Sequence, residues 1–303
     1  MKTPSLPIRS LPIPSLPIRR LPIRALPIPA VPIPAVPTAL LRATALELAV
    51  LAGHALLYPT GIADERRPEP TPAPTPDPRA TGRLPGEVAG RPPVVLLHGF
   101  IDNRSVFVLL RRSLARHGWH HLESLNHSPL TSDIRTAAEL LGRHIEEICA
   151  RTGHERVDIV GHSLGGLIAR YYVQRLGGDH RVRTLVTLGT PHAGTAVAPL
   201  AGALPIVRQM RGGSAPIEEL RLPAPGCRTR FVSFWSELDR VIVPPEAACV
   251  DHPDLDAVNV RVTGIGHLAL PVHPAVAAAV RQALDTAEPA HGSSGTARSA
   301  SVA

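Results

Sequence analysis

The chain of 303 residues reads as an α/β protein: a mainly parallel sheet of about six strands with helices on both faces. Three observations lead there. Between residues 91 and 286, short β-branched runs alternate with longer helical patterns, the order that places parallel strands side by side with helices between them. The pentapeptide Gly161-His162-Ser163-Leu164-Gly165 stands where one such strand runs straight into a helix. An apolar fraction of 44% is enough for a sizeable core.

Taken in order, residues 1–37 are a pentapeptide repeat (LPIRS, LPIPS, LPIRR, LPIRA, LPIPA, VPIPA, VP) whose prolines remove backbone donors and block helix formation. The stretch is expected to be disordered or polyproline-like. Residues 38–62 follow as an apolar helical segment, with Thr38–Tyr58 as its core, interrupted by Arg42, Glu47 and His54. Glu47 and His54, seven apart, make a polar stripe on one face of an otherwise oily rod. Its uninterrupted apolar runs are short for a membrane span. It reads as a signal or anchor segment, with small residues at Gly61-Ile62-Ala63, or as an interfacial helix touching a membrane through 38–58. The first reading places the protein outside the cell or at its envelope, with the cytoplasm as the alternative. Residues 63–90 are a proline-rich linker.

The folded domain is expected over 91–286. Its strands are read at Pro93–Leu97, His120–Leu125, Arg156–Val160, Val182–Leu188, Arg230–Trp235 and Ala257–Val262. Helices fall at Ser105–His117, Ser132–Thr152, Leu164–Leu176 and Pro274–Thr286. The stretch 193–226 is long for a plain connection and reads either as a cap over the site or as an ordinary helical excursion. Residues 287–303 are a small-residue tail.

The net charge of +7 is a property of the N-terminus. Lys2, Arg9, Arg19, Arg20, Arg24 and Arg42 precede or interleave the first helix, and no acidic residue occurs before Glu47. Setting these six aside leaves 26 basic against 25 acidic residues, in place of 32 against 25. With aromatics at 3%, a nucleic-acid-binding surface is not expected. Of the three cysteines, Cys149 reads as a small core residue. Cys227 and Cys249 bracket the segment carrying the candidate catalytic acid, so a disulfide between them would fasten that segment in an oxidising compartment. No metal site and no cofactor is expected.

The pentapeptide points to acyl chemistry. A serine on a sharp strand-to-helix turn exposes its oxygen above the sheet, and the turn demands glycine at 161 and 165. A serine hydroxyl needs a base to take its proton and a third group to orient that base. Asp239, in the loop after the strand ending at Trp235, is the preferred acid, with Glu237 its rival. His267, after Gly264-Ile265-Gly266, is the base selected by its position past the last strand. Charge on the reacting carbonyl oxygen would be met by the N–H of Leu164 and by that of Phe100, in the loop His98-Gly99-Phe100 after the first strand. His98 reads as a structural hydrogen-bonder.

With those residues placed, the chain resembles the α/β-hydrolase superfamily, and within it bacterial lipases and esterases. The resemblance rests on PVVLLHGF (93–100), VDIVGHSLGGLIARYY (157–172), VTLGTPHAGT (186–195), LDRVIVPP (238–245) and GIGHLAL (264–270), in that order. It implies Ser163 as nucleophile, Asp239 as acid, His267 as base, and Phe100 with Leu164 as oxyanion donors. It further implies an ester or lipid substrate, met at a lipid–water interface in the lipase branch. An acyltransferase or polyester depolymerase would use the same three residues. A non-catalytic binding module on this fold is the alternative of a different kind. Nothing before residue 91 takes part in the resemblance.

Overall fold

The computed structural model describes residues 36–57, 59, 90–100, 102–126, 133–196 and 204–285. The repeats before residue 36, nearly all of the linker, the tail and residues 197–203 of the stretch expected as a cap lie outside the described residues.

Six strands form one sheet: β1 (Val94–Leu97), β2 (Leu122–Leu125), β3 (Val157–His162), β4 (Val182–Leu188), β5 (Arg230–Ser236) and β6 (Asp256–Val262). Their spatial order is β2-β1-β3-β4-β5-β6, and every pairing is parallel. The chain steps outward from β1 to β2 and then resumes on the opposite side of β1. That reversal opens a crevice beyond the C-terminal ends of β1 and β3, the place where open α/β sheets hold ligands.

Alternation along the strands divides the core into two layers. Val95 and Leu97 of β1, Val157 and Ile159 of β3, and Leu185 of β4 face α3 (Ile134–Thr152) and α4 (Leu164–Arg175). Val94, Leu96, Val160, Val186 and Val232 face the other way, toward α2 (Val108–Arg116) and α7 (Pro274–Asp285). Strands buried on both faces read as continuous apolar runs, as they do here. The helices end where their chemistry dictates. Asp133 caps α3 by accepting from the Thr136 N–H at 2.7 Å, and Gly153 closes it at φ 75°.

The expected helix Ser105–His117 divides into a 3₁₀ turn at Arg104–Phe107 and α2, because Asn103 takes the Ser105 N–H at 3.0 Å and tightens the entry. The connection after β4 carries α5 (Pro205–Gln209) and α6 (Ala215–Glu219). Their Ile206, Val207, Ile217 and Leu220 join the α3–α4 layer, and α4 holds them through the buried Arg170 guanidinium, which donates to the Leu220 carbonyl at 3.1 Å.

The apolar segment near the N-terminus is α1 (Val36–Leu57). Ala43 is buried and Leu46 and Val50 pack on the α2–α7 layer, while Leu41, Leu48, Leu51 and Leu56 are exposed. No helix among the described residues is long and apolar enough to cross a membrane. The disulfide expected between Cys227 and Cys249 is not formed; both are free thiols, as is buried Cys149. Cys227 precedes β5 and packs against the α3–α4 layer. Cys249 lies alongside the middle of the strands, where Ser233 bonds the Ala248 carbonyl and Asn259 bonds the Val250 N–H. The two cysteines therefore have different surroundings, and burial pushes both thiols up, Cys249 to about 11.

Candidate active site

The geometry begins at Ser163, between β3 and α4. Its φ of 51° is the only positive value at a non-glycine among the described residues, a conformation that persists only where its surroundings enforce it. They do so with three hydrogen bonds to its main chain, two with backbone groups and one with a side chain. The Ser163 N–H donates to Leu188 at 2.9 Å, and its carbonyl accepts from the Gly166 N–H at 3.1 Å and from Thr190 Oγ1 at 3.0 Å. The two glycines of the pentapeptide are required by space. A β-carbon at Gly161 would lie 2.5 Å from the Gly166 Cα, and one at Gly165 would lie 2.3 Å from the Leu97 carbonyl oxygen.

Asp239 and His267 meet above the ends of β5 and β6. The Asp239 Oδ2 accepts from His267 Nδ1 at 2.7 Å, and both side chains are buried. The other carboxylate oxygen accepts the N–H groups of Val241 and Ile242, each at 2.8 Å, so the acid is fixed by its own loop. Glu237, its rival, is exposed and pairs with Arg261. Ser236 ties the two loops together, donating to the Ile265 carbonyl at 2.5 Å.

Serine, acid and base converge on the tip of β4. A β-carbon on Gly189 would stand 3.0 Å from His267 Nδ1 and 3.1 Å from Asp239 Oδ2, while neighbouring Leu188 holds the Ser163 N–H. The loop after β1 closes the other side. A β-carbon on Gly99 would stand 3.3 Å from the Ser163 Cβ. His98 Nδ1 lies 2.8 Å from the Gly99 carbonyl and so stiffens that loop. Leu164 is fully buried at the start of α4, and Phe100 packs against the α3–α4 layer.

Electrostatically the site is a buried ladder of imidazoles and carboxylates. Burial alone would lower His267, but Asp239, then Asp102 and Glu47, outweigh it and leave the imidazole above its ordinary 6.5. His162, whose ring centroid is 4.8 Å from that of His267, is held below its ordinary value by burial. Asp102 lies 3.3 Å from His162 and 3.5 Å from His54 of α1. Burial works against its charge, yet these imidazoles hold the carboxyl far below the usual range.

Asp102, His162, Thr190 and Glu47 are the neighbours that sequence reasoning did not assign to the site. Glu47 left a signal as half of a polar stripe on an apolar helix, and His162 and Thr190 lie inside the segments 157–172 and 186–195 without a role read for them. A large groove beside β2, lined by charged residues such as Arg104, Glu123 and Arg151, lies on the far edge of the sheet from β5 and β6. Among the described residues no cluster of His, Cys, Asp and Glu could hold a metal ion.

Residues 92–212 match the family model of the alpha/beta hydrolase fold. The chain is 29% identical over 117 residues to a triacylglycerol lipase of Pseudarthrobacter phenanthrenivorans, a match covering 36% of each chain. It is 32% identical over 126 residues to a triacylglycerol lipase of Vibrio cholerae, covering 40% of this chain and 39% of the relative. The chain thus spans just over a third of the length of these relatives. Among solved structures, the mature lipase BlEst2 of Bacillus licheniformis superposes with a TM-score of 0.56 at 16% identity, covering 67% of this chain and 96% of that one. Aspergillus fumigatus lipase B gives 0.57 at 17% identity, covering 66% and 54%. At such identities the structural likeness speaks for the fold alone.

Proposed function

We propose that this chain, an α/β-hydrolase with relatives among bacterial lipases, hydrolyses carboxylic esters of lipids through an acyl-enzyme on Ser163. The observation that carries the reading is the 2.7 Å contact of Asp239 with His267 beside a serine held at φ 51°. In this mechanism His267 takes the Ser163 proton as the oxygen attacks the ester carbonyl. Asp239 keeps the remaining imidazole proton on Nδ1 and stabilises the imidazolium that forms. The N–H groups of Leu164 and Phe100 receive the developing oxyanion, a donor of this kind contributing about 10²–10³ in rate. The tetrahedral intermediate then collapses. His267 gives its proton to the leaving alkoxide, and water repeats the cycle on the acyl-enzyme to release the acid and restore Ser163.

The lipid character of the substrate draws support from the lipase relatives and from α1. The outer face of that helix exposes Leu41, Leu48, Leu51 and Leu56 beside the strongly basic N-terminal stretch. Such a face suits a lipid–water interface of anionic character. The test is a series of chromogenic esters of increasing acyl length, assayed with and without anionic vesicles on the purified full chain. Turnover that rises at the interface and is lost in Ser163→Ala is the expected result. Turnover confined to short, soluble esters, indifferent to vesicles, would reduce the reading to a plain esterase. No hydrolysis of any ester would defeat it.

A further inference from the structure

The residues that bear directly on His267 are not all in the hydrolase fold. Glu47 lies in the middle of α1, on the face formed by Ala43, Leu46, Glu47, Val50 and His54 that turns toward the domain. Its carboxylate accepts two consecutive backbone N–H groups, that of Leu268 at 3.0 Å and that of Ala269 at 2.9 Å. These are the first two amides after the candidate base, and the bonds cross 221 and 222 residues of sequence. The approach is close enough that a side chain at Gly266 would push the carboxylate aside. A β-carbon on Gly266, the residue before His267, would stand 2.7 Å from the Glu47 Cδ. About two turns further along the same face, His54 lies 3.5 Å from Asp102, which in turn contacts His162 beside His267.

We infer that Glu47 is a positioning residue for His267: its carboxylate clamps the peptide that follows the base and makes α1 a working part of the active site. The inference rests on the hydrolytic reading given above for the role of His267, but the contact itself does not.

Two physical consequences distinguish a clamp from a helix that merely packs. The first is geometric. Once both acceptors are gone, the polar anchors left to the loop carrying His267 are the Asp239 contact, the His162 contact to its carbonyl (3.3 Å) and the Ser236 bond to the Ile265 carbonyl (2.5 Å). A base displaced by about 1 Å can cost about 10²-fold in rate. The second is electrostatic. The charged groups facing His267 are Asp239, Asp102 and Glu47, with His162 stacked beside it. Removing the Glu47 charge takes away one of three carboxylates that favour the imidazolium.

The experiment uses the full chain with Glu47→Ala and Glu47→Gln. Glutamine keeps one acceptor oxygen and removes the charge, so it also guards against an alanine variant that fails to fold. Glu47→Ala is expected to lose about 10- to 100-fold in kcat with little change in KM. Glu47→Gln should recover much of that loss while moving the acidic limb of kcat/KM to lower pH. In parallel, the His267 imidazole is titrated by NMR in Ser163→Ala and in Ser163→Ala/Glu47→Gln, where a lower midpoint in the double variant is expected. Folded variants with wild-type kcat and pH limb, together with an unshifted His267 midpoint, would overturn the inference, even if their thermal stability fell. The NMR measurement needs no turnover. If no ester were hydrolysed and the midpoint still moved, the hydrolytic reading would have failed and the clamp would stand.

Discussion

Each end of the sheet buries a carboxylate against a basic side chain, and the two ends are built to opposite purposes. At the N-terminal end, Asp158 of β3 meets Arg183 of β4 in a two-pronged pair, Nε to Oδ1 at 2.9 Å and Nη2 to Oδ2 at 2.5 Å. The same guanidinium also donates to the Leu284 carbonyl of α7 at 2.7 Å, so three elements are tied by one side chain. The β3–β4 ladder shifts register there, between Val157 and Asp158. At the C-terminal end, Asp239 faces an imidazole in place of a guanidinium, and Ser163 has a positive φ that no other non-glycine among the described residues shows. A guanidinium stays charged at all ordinary pH values. An imidazole does not. The lower pair fastens the sheet; in the proposed mechanism the upper one serves a moving proton.

Substitutions should separate these roles sharply. The largest effect is expected at the upper end. Asp239→Asn retains an oxygen for the Val241 and Ile242 N–H groups but no longer fixes the His267 tautomer, and kcat should fall by about 10⁴-fold with little change in unfolding midpoint. Steady-state kinetics alongside a thermal melt checks both halves. The reverse pattern is expected at the lower end. Asp158→Ala leaves a largely buried guanidinium without its carboxylate and should cost about 3–5 kcal/mol of stability, measured by urea unfolding, while kcat and KM of the folded fraction stay near wild type. Loss of activity without loss of stability at Asp158 would erase the distinction between the two ends.

The smallest effect is a shift in pH dependence. His267 must be neutral to accept the serine proton, and its surroundings hold it above 6.5. A raised value keeps the protonated form to higher pH, so kcat/KM should climb through an acidic limb whose midpoint lies above 6.5. A midpoint below that value would mean that burial wins over Asp239, Asp102 and Glu47.

Much of this arrangement is legible in the residues, for reasons that are local. The strands and helices stand within about two residues of where their periodicity places them, because the inner strands β1 and β3 are buried throughout and α2, α3 and α7 each have one buried side. The meeting of Asp239 and His267 is legible because both follow strand ends, and in a parallel sheet all such ends lie on one side. What is not legible depends on contacts between distant parts of the chain. Glu47 and Leu268 have no pattern in common, and Thr190 reaches the Ser163 carbonyl only because β4 lies beside β3. Asp102 is hidden for the same reason, since a lone aspartate after a strand acquires meaning only when His54 and His162 close on it. The expected disulfide fails on geometry too. Spacing along the chain brackets the acid, but Cys249 runs alongside β5 and β6 while Cys227 lies before β5.

The central claim is that Ser163 is the atom that takes up the acyl group. An alkyl phosphonate ester with a good leaving group reacts with an activated serine oxygen and stays there, so peptide mass spectrometry of the labelled full chain reads the site directly. One equivalent on the peptide carrying Ser163, with labelling slowed by orders of magnitude in Asp239→Asn, is the predicted result. Labelling at another residue, or equal labelling of wild type and Asp239→Asn, would contradict it.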